Sequence, residues 1–497
     1  MDWHFDNTYA RDLGWLGVAL APVPVKEPRV VFVNEPLAVE LGLDPQWLRS
    51  EAGAAVLAGS AVAEGSEPVA QAYAGHQFGY FSPRLGDGRA HLLGEVIDRH
   101  GRRRDIALKG SGRTPFSRGG DGRAAIGPVL REVLISEAMH ALGIPTTRSL
   151  AAAETGEKVW RDTGPQRGSV LTRVASSHLR VGTLELVRTQ GSLDQLRDLV
   201  EFVRQRHDPD LAPDDYWGLF EAVADRQADL IARWMSVGFI HGVMNTDNMA
   251  LSGETIDYGP CAFLDRYDPD TVYSSIDSGG RYRYSAQPTI AGWNLARLAE
   301  CLLPLIDGEP DALVEEANAR VNSFAQKYAA RFRVHLAAKI GIDVDSLPEG
   351  VDVEQVDRLI GTLLSTMERE SLDFTTTFRA LAAHLRSTTD STSAVHPPLL
   401  RNSEELAGLT DWIDAWGAII TDPVETAARM DEVNPAYIPR NHLVEEALGA
   451  AGSGDFAPFE ALLEVIRNPF TERAEWARYA EPAPEQFAAT YVTFCGT

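Results

Sequence analysis

Near residue 185 the apolar pattern of this chain changes period, and a single uniform layer of helices or strands cannot accommodate that change. From Ala70 to Gly112 glycine is frequent and the apolar runs have strand length, as in His91 to Ile97 and Asp105 to Lys109, which predicts a small antiparallel sheet. One helix follows: Pro128 suits a first turn, Val129, Val133, Leu134, Ala138, Ala141 and Leu142 recur at helical spacing, and Gly143 with Pro145 ends the run. Beyond residue 185 the spacing predicts helices over Leu193 to Arg206, Tyr216 to Val237, Ile290 to Ile306, Pro310 to Lys339 and Val353 to Arg386. One non-helical island, His241 to Asp265, interrupts them, and Ser387 to His396 and Gly449 to Asp455 read as loops. Ahead of the sheet, Ala21-Pro22-Val23-Pro24-Val25 excludes regular helix, and the apolar run Val30 to Val33 with a helical pattern at Leu37 to Leu41 marks an ordered extension. The fold class is therefore α+β, with a mixed sheet-and-helix part and a larger helical part.

Charge narrows the function. Lys and Arg number 46 against 71 Asp and Glu, a net charge of −25 over 497 residues. A field of that sign repels phosphate backbones and anionic lipid, which disfavours nucleic-acid or membrane-surface partners. No run approaches the roughly 20 apolar residues of a membrane helix, and Met1-Asp2-Trp3-His4-Phe5-Asp6 lacks the basic start of a secretory signal, so a cytoplasmic location is expected. Cys261, Cys301 and Cys495 fall at no metal-ligand spacing and are too few for a disulfide framework. His76, His178 and His241 are isolated and read as structural, and neither a G-x-S-x-G turn nor a Walker P-loop is present.

The island carries the chemistry. His241-Gly242-Val243-Met244-Asn245-Thr246-Asp247-Asn248, followed by Asp257-Tyr258-Gly259, has the offsets of a protein kinase's H-R-D-x-x-x-x-N loop and D-F-G segment. Asn248 and Asp257 are hard oxygen ligands of the kind that Mg²⁺ on nucleotide phosphates requires. The kinase's catalytic Asp position holds Val243, which accepts no proton, and Asp247 is the nearest carboxylate able to orient or deprotonate a hydroxyl.

Three upstream features fit the same reading. Glycines in Leu85-Gly86-Asp87-Gly88-Arg89 would let backbone N–H groups approach a phosphate, with Arg89 pairing its charge, although a plain hairpin turn has the same composition. Lys109 ends an alternating strand, the place of a kinase's strand lysine, and its partner is Glu132 or Glu137; helical periodicity puts Glu137 nearer the centre of the apolar stripe. Arg173 and Arg180 stand seven apart, so they share one face of a helix or converge from a loop, and arginines paired like that can clamp a polyphosphate, although solvated surface arginines have the same spacing. The stretch from Ser117 to Arg123, containing Asp121 and Gly122, suits a nucleotide's polar groups and equally an ordinary loop.

Taken together, Gly75-His76-Gln77-Phe78-Gly79, Leu85 to Ala90, Leu108-Lys109-Gly110-Ser111-Gly112, Gly120 to Ala124, Arg131-Glu132, Ser136 to His140, Gly143 to Arg148, His241 to Met249, Asp257-Tyr258-Gly259-Pro260 and Asn434-Pro435 resemble the selenoprotein O (SelO) family of pseudokinases. Residues 340 to 430 match least. The resemblance implies a protein-kinase-like two-lobed fold: an N-terminal extension over 1–65 packed on a small lobe over 66–184, and an enlarged helical lobe over 185–497. It implies ATP bound in a flipped orientation and transfer of AMP to Ser, Thr or Tyr hydroxyls of proteins, with release of pyrophosphate. Carried to this chain, Lys109, Arg173 and Arg180 would hold phosphates, and Gly86, Gly88, Arg89, Asp121 and Gly122 would line the nucleotide site. Glu132 would pair with Lys109, Asn248 and Asp257 would bind Mg²⁺, and Asp247 would accept the proton. UTP with Mn²⁺ is the neighbouring possibility. A small-molecule phosphotransferase, disfavoured by Val243, and an inactive ATP-binding scaffold are the remaining alternatives. Relatives with selenocysteine near the C-terminus make Cys495 and Cys261 a candidate redox pair here.

Overall fold

The computed structural model describes residues 2–389 and 409–494. Its centre is an antiparallel sheet of eight strands: β1 (Gly17–Ala19), β2 (Arg29–Val33), β3 (Val69–Gln71), β6 (Ala90–Ile97), β7 (Arg103–Lys109), β8 (Ala124–Ala125), β9 (Arg148–Arg161) and β10 (Gly164–Ala175). The order is β1-β3-β6-β7-β10-β9-β2, with β8 on β10. A separate hairpin joins β4 (Gly75–Gln77) to β5 (Tyr80–Ser82).

Both faces of the large sheet are covered. Leu93, Val96, Ile106, Leu108, Leu150 and Val170 pack against Leu37, Leu48 and Leu57 of the short helices that follow β2. On the opposite face lies α1 (Ile126–Ala141), whose Val129, Leu130, Val133 and Leu134 share a core with Ala152 and Leu171 of the sheet. Burial on two sides removes the polar alternation that marks a strand, and Leu150-Ala151-Ala152-Ala153 in β9 has none. The β9–β10 hairpin escaped the sequence reading for that reason.

From residue 181 onward the chain is mainly helical: α2 (Val181–Gln190), α3 (Leu193–His207), α4 (Tyr216–Ser236), α5 (Gln287–Leu302), α6 (Pro310–Lys339), α7 (Val353–Arg369) and α8 (Phe374–Thr389) enclose one large apolar core. The island between α4 and α5 forms a short ladder, β11 (Phe239–Ile240) with β12 (Ala262–Phe263), and presents the turn Thr246–Asn248. The last helices, α9 (Thr410–Gly417), α10 (Pro423–Val433), α11 (Asn441–Ser453) and α12 (Ala457–Ile466), do not all stay with this body. Leu443, Val444, Phe459 and Leu462 of α11 and α12 return to pack on α1, across from the sheet.

Two helical expectations need correction. The single helix expected over Val353 to Arg386 is two, because Ser371 turns left-handed (φ 53°) and Asp373 caps the second piece through the Thr376 N–H at 2.8 Å. Asp373 is fixed there by the buried Arg440, which donates to it at 2.7 and 3.0 Å. The stretch from Gly449 to Asp455 is not a loop as expected; helix continues to Ser453, since burial of Ala447, Leu448 and Ala451 outweighs the weak propensity of its glycines. Of the loop expected from Ser387 to His396, Ser387 to Thr389 are instead the last helical residues of α8, and the remainder lies outside the described residues.

Candidate functional site

Lys109, at the end of β7, is the hub. Its Nζ donates to Glu132 Oε2 at 2.6 Å and to Asp257 Oδ1 at 2.6 Å. Glu132 reaches it from α1, so the lysine's partner is Glu132. The periodicity hint for Glu137 fails because that carboxylate, also buried, is taken by Arg148 at 2.8 Å and Arg467 at 2.9 Å.

Asp257 collects two more cations. Arg173 Nη1, from β10, lies 2.7 Å from Asp257 Oδ1 and 3.4 Å from Glu132 Oε1, and Arg180 Nη2 lies 3.5 Å from Asp257 Oδ2. The two arginines come from a strand and from the residue before α2, so they converge through a loop and do not share a helix face. Burial alone would raise the Asp257 carboxyl, but Lys109, Arg173 and Arg180 outweigh it and hold the group well below its ordinary value. Asp257 also has φ 62°, a conformation costing a non-glycine residue roughly 1 kcal/mol, and its flanks are pinned by the hydrogen bond from Thr147 N–H to Thr255 O and by the Thr146–Tyr258 hydroxyl contact.

The arginines are themselves held. Arg180 packs over the Tyr73 ring at 4.4 Å and lies 3.8 Å from the buried Asp87. Arg173 Nε donates to His178 Nε2 at 3.2 Å, while His178 Nδ1 stands 3.0 Å from Asp105. His178, His241 (Nε2 to Ile256 O, 2.9 Å) and His76 (paired with Glu185) are thus the structural histidines the sequence suggested. Tyr73, Asp87 and Gln77 are site neighbours the sequence reading did not assign; Asp87 and Gln77 sit inside motifs it quoted, whereas Tyr73 carried no signal.

The Thr246–Asn248 turn presents Asp247. Its Oδ2 accepts from Gln77 Nε2 at 3.2 Å, and its Oδ1 is buried with no hydrogen-bond partner among the described residues. Burial pushes the Asp247 carboxyl up to about 6, against the opposing pull of Arg180 and Gln77. Gly75 has to be glycine, because a Cβ there would lie 2.9 Å from Asp247 Oδ1. Asn248 donates through Nδ2 to Val243 O at 2.9 Å, which fixes the amide and leaves its oxygen for another partner. Val243 itself is buried.

The glycine loop is built differently from the expectation. The N–H groups of Asp87 and Gly88 are already bonded, to Gln71 O at 2.9 Å and Gly86 O at 2.8 Å. Gly86 (φ 132°) is demanded by the Phe116 ring, 2.5 Å from where its Cβ would stand, so close packing explains the glycine without a phosphate. Arg89 does reach the site, lining a narrow cavity with Lys109, Glu132, Gly259 and Phe494. Asp121 and Gly122 sit on a neighbouring outer loop, where Asp121 pairs with Arg161 at 2.7 Å and Gly122 O accepts from Gly112 N–H at 3.0 Å. A larger cavity of about 860 Å³ lies elsewhere, between the loop from Asp265 to Tyr273, α8 and residues 482–492, and no site residue lines it.

Among the described residues no group of His, Cys, Asp or Glu is large enough to enclose a metal by itself. Asp257 and the Asn248 oxygen are nonetheless the hard donors that suit Mg²⁺, which usually completes its shell with water and phosphate oxygens. The chain around this site matches a known family and several relatives over most of its length. The model of the family described as protein adenylyltransferase SelO matches residues 15–467. This chain belongs to that family. A protein nucleotidyltransferase YdiU of Cereibacter sphaeroides is 53% identical over 500 residues, covering 100% of both chains. Proteins of the same name from Mycobacterium sp. (strain KMS) and Rhodopseudomonas palustris (strain BisB5) are each 53% identical, over 99% of both chains. The SelO match runs through residues 340 to 430, where the motifs quoted from sequence were weakest.

Proposed function

We propose that this SelO-family chain is a protein adenylyltransferase, moving AMP from ATP to Ser, Thr or Tyr hydroxyls of proteins on a kinase-like two-lobed scaffold divided near residues 65 and 184. The observation that carries the reading is the convergence of Lys109, Arg173 and Arg180 on Asp257, opposite an unpaired carboxylate oxygen of Asp247. Glu132 and Asp87 share these cations with Asp257, and a divalent ion drawn to Asp257 would release them to a triphosphate tail. Arg89 lies on the same wall.

In this reading Asn248 and Asp257 hold Mg²⁺, or Mn²⁺, which when bound neutralises phosphate charge and orients the nucleotide. The side chains do the rest. Lys109 and the arginines bind the β- and γ-phosphates of a flipped nucleotide, leaving the α-phosphorus toward Asp247. The Asp247 carboxylate takes the proton of the acceptor hydroxyl; the hydroxyl oxygen bonds to the α-phosphorus, the α–β bridging bond breaks, and the electron pair leaves on pyrophosphate. Val243 is no loss in this scheme, because the base is supplied four positions later.

The expected redox pair is proposed on one further contact. Thr493 donates from Oγ1 to Pro260 O at 2.7 Å, which brings the C-terminal segment against Cys261, while Cys495 lies outside the described residues. Non-reducing mass spectrometry of oxidised protein checks it by the presence or absence of a Cys261–Cys495 peptide. No helix among the described residues is long and apolar enough to cross a membrane, which is in keeping with a cytoplasmic location.

The deciding experiment incubates the protein with Mg²⁺ and ATP labelled at the α or the γ phosphorus, with a parallel arm using UTP and Mn²⁺. Label reaching protein from the α position alone is the expected result. Transfer from the γ position, or to a small molecule, rejects the reading, and no transfer in any arm leaves a nucleotide-binding scaffold.

A further inference from the structure

The β4–β5 hairpin is locked to the turn that carries Asp247. The His76 N–H donates to Thr246 Oγ1 at 2.7 Å, Gln77 holds Asp247 at 3.2 Å, and the Phe78 N–H donates to Asn245 Oδ1 at 3.0 Å and to the Tyr282 oxygen at 3.1 Å. Phe78 and Gly79, both left-handed (φ 52° and 85°), make a tight two-residue turn that pairs Gln77 with Tyr80. Residues paired across a ladder project from the same face, so Tyr80 stands beside the very side chain that touches Asp247.

The outer strand of the hairpin is open to solvent, with Phe81 touching His76 at 5.1 Å between ring centroids. Tyr80 is 82% exposed and Phe81 38%, although both are large and apolar. Strand β5 pairs with β4 alone among the described residues. Because the His76 N–H is turned to Thr246, the His76–Phe81 pair is the non-hydrogen-bonded kind, and the Phe81 backbone faces out from a bare strand edge. Beside the turn lies Arg281, its guanidinium 3.5 Å from where a Gly79 Cβ would be and stacked on Trp293 at 5.0 Å. Asp277 is spent on the backbone N–H groups of Arg281 and Tyr282, and Arg281 makes no ion pair among the described residues. Exposed Arg84, just past β5, makes none either. Positive side chains without ion pairs along this edge stand out in a chain of net charge −25.

We propose that this hairpin is the docking element for the acceptor polypeptide: an extended segment pairs along the edge of β5, rests on Tyr80 and Phe81, and places an acidic side chain against Arg281, so that its hydroxyl reaches Asp247. The inference rests on the adenylyltransferase reading and names the class of acceptor: an exposed, acidic, extended stretch around the modified hydroxyl.

The test uses the full chain, α-labelled ATP, and two synthetic peptides that each carry one tyrosine, flanked by aspartates in one and by lysines in the other. Wild type should modify the acidic peptide with at least about tenfold higher kcat/KM. Tyr80→Ala should raise the KM for that peptide about tenfold while the KM for ATP and the melting temperature stay unchanged. Arg281→Gln should abolish the charge preference and Arg281→Glu should invert it. Equal use of both peptides by wild type, or an unchanged peptide KM in Tyr80→Ala and Arg281→Gln, overturns the docking proposal while leaving adenylylation intact. A wild-type dimer that Tyr80→Ala dissociates, with peptide KM unaltered, assigns the patch to self-association and also overturns it. Absence of α-label on any protein or peptide with wild type rejects the underlying reading, and the acceptor site with it.

Discussion

Glu132 meets Lys109 at 2.6 Å, whereas Glu137, five residues further along the same helix, faces the other way into Arg148 and Arg467. Two carboxylates of one helix therefore serve separate ends, and their substitutions should separate cleanly. Glu132→Gln should lower kcat/KM for ATP by one to two orders of magnitude with little change in melting temperature. Glu137→Ala should leave two arginines without their partner and cost about 3 to 5 kcal/mol of stability. Steady-state kinetics and thermal denaturation of both variants check the division.

Asp257 is expected to be indispensable. Asp257→Ala removes the ligand carboxylate and leaves Lys109, Arg173 and Arg180 to repel one another, so α-label transfer should disappear. Nucleotide binding measured by calorimetry should lose its dependence on Mg²⁺. Undiminished transfer would contradict the metal role given to this residue.

Acidity should act through Asp247. With its carboxyl pushed up to about 6 by burial, kcat/KM should fall on the acid side with a midpoint near that pH. Stability responds in the opposite direction. A carboxyl raised in the folded state favours folding while protonated, and that contribution is lost as pH rises from its ordinary 3.8 to about 6. Asp247→Asn should therefore be inactive yet more stable than wild type at pH 7.5, by up to about 2 kcal/mol, with the difference vanishing near pH 4. Paired melts across that range measure it.

The corner between α7 and α8 offers a test away from the cleft. Asp373→Ala removes a helix cap and one partner of the buried Arg440, leaving Asp265 alone to balance it at 2.7 Å. A loss of about 2 to 4 kcal/mol is expected, with the KM for ATP unchanged.

The sequence disclosed the site's contents better than its geometry. The island, Lys109 and the Asn248–Asp257 pair were readable because their offsets are fixed by local loops. The β9–β10 hairpin was not, since alanines buried on two faces show no period, and with it went the strand that delivers Arg173. Periodicity misdirected the choice between Glu132 and Glu137 because apolar spacing reports burial, and both side chains are buried. The packing that requires Gly86 could not be read locally, since the Phe116 ring against it lies thirty residues downstream.

The return of α11 and α12 onto α1 has a bearing on control. With Arg467 bound to Glu137 and Leu443, Val444, Phe459 and Leu462 seated along its back, α1 is wedged between two layers. Swinging this helix aside, and with it Glu132 from Lys109, would mean parting it from both layers at once. A block on what reaches Lys109 is the less costly way to hold the chain in check.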